Sequence, residues 1–100
     1  MKIDEIIEQF LGGKIKAKEV NELFESGELT LDDIRDKFQF GKLIQDLNKK
    51  YSEIMNEAVI LPHSISWKDT IIVLMIAIEN KEKVLDVANK FYIYNDEWDY

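Results

Sequence analysis

The sequence predicts an all-α protein, a compact bundle of about five to six helices in which three short helices are followed by three longer ones. Three observations carry that expectation. Apolar residues recur at helical spacing along almost the whole chain, glycines and one proline fall at the breaks, and capping residues stand where new stripes begin. The chain has 100 residues, 46% of them hydrophobic and 11% aromatic. That is one domain's worth of chain with enough apolar surface for a core. The expected division is a single helical domain over residues 1–93 and an acidic, aromatic tail over 94–100.

The first stripe, Ile3, Ile6, Ile7, Phe10 and Leu11, has the i, i+3, i+4, i+7, i+8 spacing of an amphipathic helix, and Gly12-Gly13 ends it. Val20, Leu23 and Phe24 form a second stripe, led by Ile15 and Ala17 and closed by Gly27. Thr30 then reads as an N-cap with Asp33 in the capping-box place, so Leu31, Ile34 and Phe38 define a third short helix. From Lys42 the positions Leu43, Ile44, Leu47, Tyr51, Ile54, Met55 and Ala58 predict the longest helix, stopped by the restriction Pro62 places on the residue ahead of it. Residues 61–66 read as a loop. Ser66 caps the next helix with Asp69 at the box position, and Trp67, Ile71, Leu74 and Ile78 make one face. Ile72, Val73, Ile76 and Ala77 fill the other faces, which makes this helix the central, most buried element. Val84, Val87, Ala88 and Phe91 give a final helix, either separated from its predecessor at Asn80 or continuous with it.

Aligned on itself at an offset of 14, the chain superposes Phe10, Phe24 and Phe38, then Gly13, Gly27 and Gly41, then Ile15, Leu29 and Leu43. The unit is an aromatic, a glycine turn and an apolar anchor. It decays where Asn48 replaces the expected Ile or Val of the third copy.

Most chemistries are excluded by inventory. There is no cysteine, and His63 is the single histidine, which leaves neither a thiolate nor an imidazole metal site, so no metal or cofactor is expected. No Gly-x-Ser-x-Gly turn is present, and Gly12-Gly13-Lys14 lacks the spacing and the hydroxyl of a phosphate loop. No catalytic residues are assigned, and a non-enzymatic role is expected. Residues 20–38 have a helix, turn, helix outline, but the second segment reads Leu31-Asp32-Asp33-Ile34-Arg35-Asp36, with acids where phosphate neutralisation needs bases. Direct nucleic-acid binding is not expected. The start, Met1-Lys2-Ile3-Asp4-Glu5, has no signal-peptide pattern. The longest apolar run, Ile71 to Ile78, is far short of the roughly 20 residues that span a bilayer, so a cytoplasmic location without membrane contact is expected.

Charge is more informative once divided. Acids outnumber bases 20 to 13, a net of −7. Between Glu19 and Asp36, seven acids, Glu19, Glu22, Glu25, Glu28, Asp32, Asp33 and Asp36, stand against Arg35 alone, a net of −6. Asp96, Glu97 and Asp99 add −3 in the tail, and the rest of the chain is +2. Such a segment steers a basic partner. Acids near helix starts are also favoured by the helix dipole without any partner. The candidate partner-binding residues are the seven acids together with Asp96, Glu97 and Trp98, since a tryptophan among acids suits an interface anchor.

Phe10-Leu11-Gly12-Gly13-Lys14-Ile15-Lys16-Ala17-Lys18-Glu19-Val20-Asn21-Glu22, preceded by Ile3-Asp4, resembles the opening of the colicin D immunity family and related small bacterial self-protection proteins. The similarity covers about a fifth of the chain. It implies a small helical bundle, without a cofactor, that blocks a cognate toxin, often an RNA-cleaving nuclease, by setting acidic side chains against a basic cleft. In that family the second helix usually runs on, whereas here Gly27 cuts it short, so no inhibitory residue is carried over. The other function class consistent with the sequence is a phage or mobile-element accessory protein acting as a homo-oligomeric module, with the Ile71–Ile78 run buried against a second copy. The expected oligomeric state is monomer or homodimer.

Overall fold

The computed structural model describes residues 2–59 and 65–90. Among these residues it is an all-α bundle of six helices: α1 (Ile3–Leu11), α2 (Ala17–Ser26), α3 (Lys37–Leu43), α4 (Gln45–Met55), α5 (Trp67–Asn80) and α6 (84–90). No helix among the described residues is long and apolar enough to cross a membrane.

The first two helices end as the glycines require. Ile3, Ile6, Ile7 and Phe10 bury one face of α1, and Gly13 turns the chain away at φ +77°. Gly27 closes α2 in the left-handed region at φ +83°, where a side chain would be strained. The returning chain donates from Leu29 N–H to the Leu23 carbonyl at 3.1 Å and buries Leu29.

The third helix is not where Thr30 and Asp33 place it. Residues 28–36 form a loop, and α3 begins at Lys37, capped by Asp36, whose carboxylate accepts from Gln39 N–H at 2.8 Å. The Gln39 side chain reaches back and accepts from Arg35 N–H at 2.8 Å. Asp36 and Gln39 thus make a reciprocal cap that outcompetes the Thr30 and Asp33 pair. The shift puts Phe40 rather than Phe38 into the core, where its ring stacks on Trp67 with centroids 5.1 Å apart and planes 9° from parallel. It also ends the 14-residue repeat: Gly13 and Gly27 make left-handed turns, but Gly41 lies inside α3 with no positive φ. Replacing Asp36 by alanine is expected to cost about 1 kcal/mol, the usual worth of an N-cap, while Thr30→Ala leaves urea stability unchanged within about 0.5 kcal/mol. Equal losses at the two positions would contradict this placement of α3.

The longest helix is α5, not α4. Ile44 is the joint between α3 and α4, and α4 stops well before Pro62 because Asn56 adopts the left-handed conformation at φ 55°. Asparagine tolerates that region better than other non-glycine residues. Ser66 caps α5 by accepting from Asp69 N–H at 3.1 Å, as the sequence predicts. Lys81, at φ 55°, separates α5 from α6 just after Asn80.

α5 packs against both α2 and α4 and is the centre of the molecule. Ile71, Ile72, Val73, Leu74, Met75, Ala77 and Ile78 are all buried, leaving Ile76 half-buried. The apolar run is therefore largely buried within its own chain. Val84, Val87 and Ala88 of α6 join the core, whereas Leu85 faces outward. The predicted packing of Phe91, the residues around Pro62 and His63, and the 94–100 tail lie outside the described residues.

Candidate functional site

The acidic segment folds so that its carboxylates leave the core in different directions. All seven acids between Glu19 and Asp36 are exposed. At 100° per residue, Ala17, Val20 and Phe24 turn one face of α2 toward α5, while Glu19, Glu22 and Ser26 lie on the outer flank with Leu23 at their border. This orientation is fixed at the helix start, where no side chain of α2 itself caps the free N–H groups. The Glu79 carboxylate, from the last turn of α5, accepts from Ala17 N–H instead. An acid there is misplaced for the dipole of α5 and well placed for that of α2.

Glu19, Glu22 and Glu28 converge on one groove of about 730 Å³ between α1 and α2. Gly27 brings Glu28 to its end, and Glu28 N–H donates to Ser26 Oγ at 3.4 Å. The opposite wall is α1, which contributes Glu5 and Gln9, and the apolar lining is Ile6, Ile15 and Leu23. A smaller hollow of about 450 Å³ continues along α1 past Glu5, Glu8, Gln9 and Gly12 to Lys14. Four glutamates therefore face an apolar strip, an arrangement suited to lysine or arginine side chains whose stems lie on the strip while their heads meet the carboxylates.

The other predicted residues do not share this groove. Glu25 is on the far side of Glu22, where its carboxylate accepts from Asn21 Nδ2 at 3.3 Å. Asp32 and Asp33 stand exposed on the 28–36 loop, and Asp36 is engaged as the cap of α3. Asp96, Glu97 and Trp98 lie outside the described residues. The sequence alone does not single out Glu5, which belongs to another helix, 14 positions before Glu19; its one signal is the Glu5 and Gln9 pair on one flank of α1. Among the described residues the one ion pair is Lys90 to Glu82, at 3.1 Å, so none of these acids is neutralised by a salt bridge there.

Comparison of the chain with protein-family models, with curated proteins and with solved structures finds no match. The functional reading thus rests on the surface itself. Among the described residues no group of three or more carboxylate, histidine or cysteine side chains is placed to hold a metal ion. What the groove offers is a preformed acidic surface with an apolar floor, suited to binding.

Proposed function

We propose that this chain is a small non-catalytic binding protein of the immunity or inhibitor kind, which masks the basic surface of a protein partner such as a nuclease toxin. The observation that carries the reading is the α1–α2 groove, where Glu5, Glu19, Glu22 and Glu28 gather over Ile6, Ile15 and Leu23 without a salt-bridging cation among the described residues. Carboxylates held at a rigid surface imitate the phosphates that a nuclease cleft is built to accept. The apolar floor adds contact area that charge alone lacks. The N-terminal resemblance to colicin D immunity proteins points the same way; it spans Ile3-Asp4 and Phe10 to Glu22, which include the two ends of α1 and the start of α2.

The test is co-purification with the product of the neighbouring reading frame, since a toxin and its inhibitor are made together, followed by titration of the purified pair. The triple variant E19K/E22K/E28K is expected to bind at least tenfold more weakly with an unchanged helical CD spectrum. D32K/D33K should have a smaller effect. Asp36 is a poor site for such a test because its loss also uncaps α3. Affinity that is indifferent to the triple reversal, or to raising salt from about 0.1 to 0.5 M where screening shortens to a few ångströms, overturns the proposal.

A further inference from the structure

A second surface, on α3 and the start of α4, differs from the acidic groove in the sign of its charge. Phe38 points outward and is 75% exposed, although Phe40, two residues on, is buried. The Lys42 ammonium lies 5.6 Å from the centre of the Phe38 ring, a cation–π distance. Together with Lys37, Gly41, Gln45 and Asn48 these two side chains line a groove of about 390 Å³. Both charged residues that line it are lysines, in a chain whose net charge is −7.

One residue lining this groove runs against helix propensity. Gly41 sits in the interior of α3, where glycine weakens a helix relative to alanine. No positive φ requires it, and a Cβ built there meets nothing within 4 Å. What the glycine does is keep the groove open beside Phe38.

We propose that this groove docks an acidic segment of a partner protein, one that lays a large apolar side chain against Phe38 over Gly41 and sets carboxylates toward Lys37 and Lys42. The surface is independent of the acidic groove and stands whether or not that groove has a basic partner. Nucleic acid would also bring negative charge and a flat ring, but two lysines on a chain of net −7 are too few to hold a track of phosphates. A short peptide with two or three carboxylates meets far less of that repulsion.

The experiment is an NMR titration of the full chain with acetyl-Glu-Asp-Trp-Glu-Leu-amide. Parallel arms use the Gln/Asn version of the peptide, a version with Ser for Trp and Leu, and a thymidine oligonucleotide. Amide shifts are expected over residues 37–48 with the acidic apolar peptide, and at least tenfold weaker binding of either altered peptide. F38S and K37E/K42E should each lose at least tenfold in affinity, whereas E19K/E22K/E28K should bind no more weakly than the native chain. Gly41→Ala gives the decisive reading. It should raise the melting temperature by roughly 2–8 °C, as expected for an interior helical glycine in a domain of this size, while weakening the peptide at least tenfold. Stability and binding then move in opposite directions, which a purely structural glycine would not produce. Absence of shifts at 37–48, undiminished binding to Gly41→Ala, equal binding of the uncharged peptide, or tighter binding of the oligonucleotide at these residues overturns the proposal.

Discussion

Leu74→Ala is expected to destabilise the protein by about 2–5 kcal/mol, the range for deleting a fully buried leucine side chain. Leu74 has no exposed surface, and its helix is covered by α2 on one side and α4 on the other. In a closely packed interior the surroundings collapse only in part into the space, so both the transfer loss and the cavity loss apply. Against a total of roughly 5–15 kcal/mol for a domain, this is a large share. At about 4–8 °C per kcal/mol for a chain of this size, the melting temperature should fall by at least about 8 °C. Ile76→Ala, on the half-buried position of the same helix, should lose less than half as much in urea unfolding. Equal losses at the two positions would show that α5 is not enclosed in this way.

The centrality of α5 is legible in the sequence because both of its determinants are local. Ser66 and Asp69 fix where it starts, and apolar residues on every face leave it nowhere to go but inside. The third helix is harder, since Thr30 with Asp33 and Asp36 with Gln39 are competing capping pairs, six positions apart, that the sequence alone does not rank. The choice falls to packing: starting at Lys37 lets Phe40 meet Trp67, a residue of another helix 27 positions later. The acidic site is legible in the same partial way. Composition locates the excess between Glu19 and Asp36, and the helical period turns Glu25 about 120° away from Glu19, with Glu22 midway between them. That Glu5 joins them while Asp32 and Asp33 do not depends on how α1 lies against α2 and on the turn at Gly27. Exposure of Phe38 follows from the same shift of α3, so an aromatic that the apolar stripe assigns to the core becomes part of a surface.

Tyr51→Phe should remove about 1–3 kcal/mol, through hydrogen bonding instead of packing. Its ring is fully buried in α4, yet its hydroxyl links three segments. It donates to Glu57 Oε1 at 2.6 Å, in the turn that follows α4, and accepts from Val84 N–H at 3.0 Å, at the start of α6. Phenylalanine fills nearly the same volume, so the loss is that of a buried N–H left without its acceptor and of the donor to Glu57. The linkage also has a pH signature. Burial, and after it the hydrogen bond to Glu57, raise the Tyr51 pKa above its ordinary value of 10.0, outweighing the Val84 N–H, which favours the phenolate. The folded state therefore keeps this proton after the unfolded chain has released it, and stability falls as pH rises. Below about pH 10 the contribution is present in full, and it is lost as pH climbs through the folded-state value. Urea unfolding of the native chain and Tyr51→Phe between pH 7 and 11 checks this. The native chain should lose stability more steeply above pH 10, so that the gap between the two proteins narrows there. A gap that stays constant or widens would mean that the hydroxyl is not held buried between Glu57, to which it donates, and Val84 N–H, from which it accepts.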